Sequence, residues 1–234
     1  RHTRCSRDWS SDVCSSDLQR ALVLELFEDI RRWVRFPCRV ILTENLPEDK
    51  PFDTAAHPFP VELICNHTIK GFGANHNAAS MRAKEGLFCV MNPDIRLAQD
   101  PFPALAACLE DPRIAIVSPH VVAPGGTPED HARRFPTVWS LITKIFGRKP
   151  SVRPGDGETI FYPDWVAGMF MLSHLNTFRA LGGFDERYFL YYEDVDLCAR
   201  ARAKGLQIAV NTESSVVHRS EEHTSELQSR LHLV

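Results

Sequence analysis

Residues 87–94 read Leu87-Phe88-Cys89-Val90-Met91-Asn92-Pro93-Asp94. The five apolar residues have the length of a buried strand, and the polar tripeptide behind them marks its end. In open α/β sheets, ligand sites lie at the carboxyl ends of strands. The position of Asp94 therefore favours the binding of a hard divalent cation, although Asn-Pro-Asp is also common in simple turns.

Strands and helices alternate along the rest of the chain. Further strand-length apolar runs occupy residues 39–42, 61–65, 114–117 and 165–172. Helical stretches are predicted at residues 23–34, 75–84, 101–110 and 194–204, the last closed by Gly205. Residues 123–163 are rich in Pro, Gly and charge and read as a mobile excursion with a short helix at 139–146. The alternation predicts one α/β domain with a mostly parallel sheet flanked by helices.

Composition narrows the possible partners. The chain carries a net charge of −3 with no long run of one sign, which argues against a nucleic-acid partner. Its cysteines between residues 19 and 218 lie mostly within apolar stretches, which indicates reduced thiols and a cytoplasmic location. No apolar run approaches the roughly 20 residues that cross a bilayer, so no membrane span is predicted.

Both ends of the chain have an unusual origin. Residues 1–18 resemble the conceptual translation of a sequencing adapter with its flanking primer, and residues 219–234 resemble the opposite adapter arm in the same way. Two matches in frame indicate that these ends are not native protein, so the fold is predicted without them. Residues 19–218 are expected to be a single domain cut from a longer gene.

A second motif joins aromatic residues to an acidic cluster. Residues 182–197 read Gly182-Gly183-Phe184-Asp185-Glu186-Arg187-Tyr188-Phe189-Leu190-Tyr191-Tyr192-Glu193-Asp194-Val195-Asp196-Leu197. Simple helix chemistry accounts for Asp196, which is expected to pair with Arg200 one turn later. Asp194 could cap the helix. We favour a general base at Asp194, because the aromatic run before it can partly desolvate a carboxylate.

Two weaker signals lie elsewhere in the chain. Residues 70–77 contain Gly71 and Gly73 but lack the third glycine of a dinucleotide fingerprint and the GK[ST] of a P-loop. A donor contact at Asn77 and a plain turn into a helix are equally open. His218 follows an apolar strand end and could face the same edge as Asp94, although most such histidines are surface or core residues.

Taken in order, these motifs resemble the family 2 glycosyltransferases, especially the rhamnosyltransferase-like and galactofuranosyltransferase-like members. The resemblance extends over nearly all of residues 19–218. It implies a GT-A fold and inverting transfer of a sugar from a dTDP- or UDP-linked donor to a saccharide or lipid-linked acceptor in surface polysaccharide synthesis. It also implies a divalent cation, Mg²⁺ or Mn²⁺, and permits peripheral association with the inner face of the cell membrane.

The same resemblance assigns roles to residues of this chain. It implies that Asp94 and His218 bind the metal and that Asp194 deprotonates the acceptor. The residues implied on the donor side are Glu44, Asn45, Gly71, Asn77 and Asn92. Those implied on the acceptor side are Trp165, Gly168 and Glu193.

The chain departs from the family pattern in two places. The family's first strand should lie upstream of residue 19, where adapter-like sequence stands instead, and Glu44-Asn45 replaces the usual Asp-containing pair. Two alternatives remain open from sequence: a non-catalytic nucleotide- or carbohydrate-binding relic of the fold, and a metal-dependent phosphohydrolase that uses the same acids.

Overall fold

A computed structural model describes residues 9–15, 20–45, 52–84, 86–135 and 157–219, the first of these as backbone only. The helix expected at 139–146 lies outside these ranges. The described helices are α1 (Arg20–Trp33), α2 (Phe72–Arg82), α3 (Phe102–Cys108), α4 (Leu175–Ala180) and α5 (Glu193–Ala203). The described strands are β1 (Trp9–Ser15), β2 (Cys38–Glu44), β3 (Val61–Cys65), β4 (Leu87–Met91), β5 (Ile95–Leu97), β6 (Ile114–Val122), β7 (Ala132–Arg133), β8 (Ile160–Phe161), β9 (Trp165–Val166), β10 (Phe170–His174) and β11 (Gln207–His218).

Within the described ranges, nine strands form one sheet with helices on both faces. The order is β3-β2-β1-β4-β10-β6-β11-β5, and β8 pairs with β11. Strands β3, β2, β1 and β4 run parallel, as do β6 and β11, whereas β10 is antiparallel to both β4 and β6. The α/β prediction is confirmed. The sheet is mixed, because β10 runs antiparallel to both of its neighbours and β5 and β8 run antiparallel to β11.

Two apolar layers hold the helices against the sheet. On one face, Leu26 and Phe27 of α1 pack in a cluster with Phe102 of α3. On the other face, α2, α4 and α5 share a cluster that includes Phe178 and Leu197. Each of these side chains is almost fully buried, and burial of one such side chain contributes roughly 1.5–3 kcal/mol. The spacing of Val23, Leu26, Phe27 and Ile30 explains α1, since a 3.6-residue period puts them on its buried face.

Strand β1 occupies a central position between β2 and β4 and runs parallel to both. Trp9 is in register with Cys38 on one side and with Leu87 on the other. The resemblance to family 2 glycosyltransferases predicts the family's first strand at this position, and adapter-like sequence occupies it instead.

The predicted strand at residues 165–172 is two strands. β9 pairs with β7 in a separate two-stranded ladder, whereas β10 belongs to the main sheet. The chain changes partners between them: Ala167 N–H donates to the carbonyl of His131, and the carbonyl of Met169 accepts from Asn92 N–H. This irregular step places Gly168 next to the carboxyl end of β4. Among the helices of the described ranges, none combines the length and the apolar character that a bilayer crossing requires.

Candidate active site

The first predicted motif lies beside Gly168. Residue Asn92 follows the last residue of β4, and its N–H donates to the carbonyl of Met169 over 3.0 Å. The backbone at Asn92 is thereby tied to the segment that carries Gly168. The carboxyl end of β2, at Glu44, belongs to the same parallel part of the sheet.

Asp194 reaches the same segment from helix α5. Its Oδ2 accepts a 2.9 Å hydrogen bond from Gly168 N–H, and its Oδ1 accepts one of 2.7 Å from Val195 N–H. A Cβ at Gly168 would lie 3.2 Å from the Phe72 ring and 3.6 Å from the Asp194 Cβ, so a glycine permits this approach. Burial raises the pKa of Asp194, and the backbone donors only partly oppose this effect. A carboxylate with a raised pKa takes up a proton more readily than an ordinary one.

Helix α5 begins without the side-chain cap considered from the sequence. Its N-cap is Tyr192, so Asp194 lies inside the first turn. Tyr191 and Tyr192 adopt left-handed φ angles of 68° and 72°, and for a residue other than glycine each such conformation costs on the order of 1–3 kcal/mol. The predicted pairing of Asp196 with Arg200 is confirmed at 2.8 Å.

The side chains of Asp94 and His218 lie next to each other. The Nε2 of His218 lies 3.2 Å from Asp94 Oδ2, and its Nδ1 donates to Glu129 Oε2 over 2.8 Å. All three side chains are largely buried, with 13% to 20% of their surface exposed. Burial lowers the pKa of His218, but the hydrogen bonds and charges of Asp94 and Glu129 outweigh it and raise this pKa to about 9.

These residues fit a divalent cation in part. The buried Oδ1 of Asp94 has no hydrogen-bond partner in the described structure, as expected for an oxygen that binds a cation from outside the protein. The carboxylate of Glu129 holds Nδ1 of His218, which leaves Nε2 facing Asp94 in the arrangement common behind metal-bound histidines. Within the described ranges, however, no group of three or more His, Cys, Asp or Glu residues has the geometry of a complete metal site. Two protein ligands leave the other positions to substrate oxygens and water, as is usual for Mg²⁺.

Side chains of two helices, α2 and α5, form hydrogen bonds to the turn that leads to Asp194. The Nδ2 of Asn77 donates to the carbonyl of Phe184 over 2.8 Å, and its Oδ1 accepts from Phe184 N–H over 2.8 Å. From α5, Arg200 donates to the carbonyls of Leu181 and Gly183. Gly183 has a φ of +64°, and a Cβ there would lie 2.4 Å from Asn77 Oδ1. The amide of Asn77 thus holds the loop that leads to Asp194, and its predicted donor contact remains a prediction.

Asn45, one of the residues predicted on the donor side, belongs to a hydrogen-bond network around residue 70. Asn45 donates to the carbonyl of Lys70 over 2.9 Å and accepts from Lys70 N–H over 2.8 Å. Asn66 donates to the side chains of both Asn45 and Asn75. Glu44 is buried at the end of β2, where the Cys65 thiol lies 3.6 Å from its Oε2. These contacts fix the loop that begins α2.

Gly71 allows a close crossing of two loops. Phe72 N–H donates to the carbonyl of Phe189 over 3.0 Å, and a Cβ at Gly71 would lie only 2.4 Å from that oxygen. Any larger residue here would push residue 189 away from α2. The glycine therefore positions the aromatic loop that precedes Asp194.

The three predicted acceptor-side residues have different environments. Trp165 is half-buried under the guanidinium of Arg133, 5.6 Å from the ring centre. Gly168 donates directly to Asp194. Glu193 is only 5% exposed, and its Oε2 has no hydrogen-bond partner in the described structure. Burial, reinforced by the charge of Asp194 and opposed by a hydrogen bond from the backbone N–H of Glu193, raises the pKa of Glu193 to about 7.

A groove of about 730 Å³ lies between α2, α4 and the loop that follows α4. Ile69, Met81 and Phe189 are among its apolar walls, and Lys70 and Glu186 are among its polar ones. Neither Asp94 nor Asp194 lines it. The groove therefore touches the loop that leads to Asp194 but does not include the carboxylates of the predicted chemistry.

Comparison with known proteins supports the structural assignment. The chain has 12% identity and a TM-score of 0.73 to a crystal structure of GalNAc-T7 with UDP, GalNAc and Mn²⁺, over 94% of this chain and 45% of that one. It has 14% identity and a TM-score of 0.67 to a mannosyltransferase from Pyrobaculum calidifontis in complex with GDP-Man and Mn²⁺, over 96% of this chain and 61% of that one. The fold is GT-A.

Sequence relatives of this GT-A chain are named for sugar transfer. It is 29% identical over 170 residues to the rhamnosyltransferase WbbL of Escherichia coli K12, covering 63% of this chain and 64% of that protein. It is 26% identical over 212 residues to an N-acetylglucosaminyl-diphospho-decaprenol L-rhamnosyltransferase of Mycobacterium tuberculosis, covering 78% of this chain and 66% of that protein. The chain thus spans just under two thirds of the length of these relatives. No protein-family model matches it.

Some contributors to the site were not predicted from the sequence. Glu129 lies in a stretch rich in Pro and Gly with no periodicity, so no local signal marks it. Asn66 donates hydrogen bonds to Asn45 and Asn75, which lie in other segments of the chain, so no local pattern marks this network. Only Gly71, a glycine at a loop-to-helix junction, gave a local hint of the close crossing with Phe189.

Proposed function

We propose that this chain is the core of an inverting family 2 glycosyltransferase. It transfers a rhamnose-like or galactofuranose-like sugar from a dTDP- or UDP-linked donor to a saccharide or lipid-linked acceptor in surface polysaccharide synthesis. The observation that carries the proposal is the half-buried Asp194, whose carboxylate accepts a hydrogen bond from Gly168 N–H beside Asn92, at the carboxyl end of β4. The GT-A fold and the relatives named rhamnosyltransferases support the same conclusion.

Asp194 acts as the general base in this proposal. As the acceptor oxygen forms a bond to the anomeric carbon, Asp194 takes the hydroxyl proton, and the bond between that carbon and the phosphate oxygen breaks. Attack from the face opposite the leaving group inverts the anomeric centre. Correctly placed general bases contribute about 10²–10⁴-fold to such rates.

Asp94 and His218 would hold Mg²⁺ or Mn²⁺ on the donor side. When bound, the cation supplies positive charge where the diphosphate gains negative charge. The buried free oxygen of Asp94 supports this role, and Glu129 would keep His218 oriented. The acceptor-side predictions for Trp165 and Gly168 remain part of the proposal.

The test is a transfer assay on the 234-residue chain with Mn²⁺. The donors are dTDP-rhamnose and UDP-galactofuranose, and the acceptor probe is an N-acetylglucosaminyl-diphospho-lipid, a class named in one relative. Mass spectrometry follows the glycosylated acceptor, and a coupled assay follows the nucleoside diphosphate. We expect release of the diphosphate to depend on the acceptor. Donor cleavage to free sugar at a rate that ignores the acceptor would contradict transfer and favour a phosphohydrolase.

A further inference from the structure

The carboxyl group of Glu193 is buried next to the proposed base, and the transfer reaction does not use it. Glu193 is the first residue of α5 and directly precedes Asp194. Only 5% of its surface is exposed, and its Oε2 has no hydrogen-bond partner in the described structure. Buried carboxylates are normally paired or fully hydrogen-bonded. The unpartnered oxygen therefore favours a neutral carboxyl group over a carboxylate at this position.

The first turn of α5 packs directly on α2. A Cβ at Gly73 of α2 would lie 2.7 Å from the Phe184 Cβ and 3.8 Å from the Glu193 Cβ, so the glycine permits a close approach. One turn later on α2, His76 is fully buried, and its ring centre lies 4.2 Å from that of Phe72. The side chain of Glu193 is thus enclosed at the contact between the two helices.

Two titratable neighbours influence Glu193, one from each helix. Burial is the largest influence and raises the pKa of Glu193 to about 7. The negative charge of Asp194, on α5, adds to this effect. A hydrogen bond from the backbone N–H of Glu193 and the charge of His76, on α2, oppose it. Glu193 is therefore mostly neutral below this pH and mostly ionised above it.

The position of Asp194 depends on the same contact between α5 and α2. Its Oδ2 accepts a 2.9 Å hydrogen bond from Gly168 N–H. The ring of Phe72, at the start of α2, lies 3.2 Å from where a Cβ of Gly168 would be. The first turn of α2 therefore packs against both Gly168 and Glu193. A shift of the first turn of α5 away from α2 would change the hydrogen bond of the base.

We propose that Glu193 is a positioning residue that acts as a neutral carboxylic acid and keeps Asp194 on Gly168 N–H, an inference that rests on the proposed transferase function. The neutral group can remain buried between the helices. An ionised group with an unpartnered oxygen would instead be drawn towards water, which requires the first turn of α5 to move away from α2. Because Asp194 belongs to that turn, it would move with it. Transfer therefore requires an ionised Asp194 and a neutral Glu193.

The first test is the pH profile of transfer at saturating donor and acceptor for wild type and Glu193→Gln. The amide has nearly the shape of the neutral carboxyl group and does not ionise. Between about pH 6 and about pH 8.5, we expect wild-type kcat to fall roughly tenfold or more, with acceptor KM unchanged. Glu193→Gln should keep its kcat over this range. Glu186→Gln, exposed on the loop between α4 and α5, is the control and should follow the wild-type profile.

Two outcomes of this assay would overturn the inference. An alkaline fall in kcat that Glu193→Gln shares with wild type would mean that another group causes it. A folded Glu193→Gln that is inactive at every pH would mean that the reaction needs the carboxyl group itself and not its neutral shape.

A second measurement needs no turnover. The amide signal of Gly168 reports its hydrogen bond to Asp194, and ¹⁵N NMR can follow this signal across the same pH range. We expect a change with a midpoint near pH 7 in wild type and no such step in Glu193→Gln. Identical titrations of Gly168 in the two proteins would contradict the inference. If wild type shows the step but transfers no sugar, the proposed function fails, and the coupling between Glu193 and Asp194 is still supported.

Discussion

The two key carboxylates of the site, Asp194 and Asp94, are stabilised in different ways. Asp194 accepts hydrogen bonds from two backbone N–H groups, and burial raises its pKa. Asp94 instead faces the imidazole of His218, whose pKa Asp94 and Glu129 raise to about 9. A carboxylate that burial makes more basic can accept a proton, whereas one that attracts a cation can hold a metal. The environments of Asp194 and Asp94, rather than the residue type, distinguish the two roles that we propose.

The largest effect should come from removing the base. Asp194→Asn keeps the size of the side chain and can still accept a backbone hydrogen bond, but it cannot take a proton. We expect kcat to fall by about 10²–10⁴-fold. The assay is initial-rate transfer at saturating donor. Asp185→Asn, on the same loop and paired with Arg187, is the control and should keep near-normal kcat. A comparable loss in both variants would contradict a specific role for Asp194.

The next effect concerns the neighbour of the base. The folded state raises the pKa of Glu193 from 4.5 to about 7, so it binds a proton more tightly than the unfolded state does. The free energy of unfolding should therefore decrease as pH rises from about 4.5 to about 7, by on the order of 3 kcal/mol. Urea titrations at about pH 5 and about pH 8 measure the free energy of unfolding near the two ends of this pH range.

Glu193→Gln is the matched variant for that pH dependence. It has no ionisable group at this position, so its stability should change less across the same pH range than that of wild type. Parallel profiles for the two proteins would show that Glu193 ionises normally in the fold.

A third effect should come from removing the hydrogen bonds between Asn77 and Phe184 in the loop that leads to Asp194. Asn77→Ala leaves the N–H and carbonyl of the buried Phe184 without their side-chain partner. We expect a loss of about 1–3 kcal/mol in the free energy of unfolding, together with a lower kcat. Ser80→Ala, on the same helix, removes only a bond to the carbonyl of Asn77 and serves as the control. Equal stability of the two variants would argue against a stabilising role of these hydrogen bonds.

The smallest effect should come from weakening the proposed metal site. Glu129→Ala removes the carboxylate that orients His218, and we expect Mn²⁺ affinity in the presence of nucleotide to weaken roughly 10–100-fold. Calorimetric titration with Mn²⁺ measures it, with Asp130→Ala as the neighbouring control. Tighter Mn²⁺ binding in Glu129→Ala would mean that His218 is a counter-ion to Asp94 and not a ligand.

The same two carboxylates show how much of the site the sequence reveals. Asp94 and Asp194 are recognisable because each follows a regular apolar or aromatic segment whose end can be read locally. Glu129 has no such segment beside it, and its role depends on β6 and β11 bringing residue 129 to His218. Long-range hydrogen bonds of Asn77 and Asn66 are equally invisible to local patterns. The break between β9 and β10 escapes prediction because the apolar run continues through the change of partner.

Strand β1 illustrates a different limit. Its residues, Trp9-Ser10-Ser11-Asp12-Val13-Cys14-Ser15, lack the continuous apolar run typical of a central parallel strand, whereas β4 beside it is apolar and buried throughout. Strand pairing uses backbone groups that every residue except proline offers in full. A segment can therefore occupy a central position without a sequence pattern that predicts it.

The most direct test of the central claim is donor binding by two variants of the full chain. Calorimetry with UDP and dTDP, with and without Mn²⁺, would be carried out on Asp94→Ala and Asp194→Asn. If the two carboxylates have separate roles, Asp94→Ala loses the Mn²⁺-dependent binding and Asp194→Asn binds like wild type while failing to transfer. Normal Mn²⁺-dependent binding by Asp94→Ala, or loss of binding in Asp194→Asn, would contradict the division between a metal carboxylate and a catalytic base.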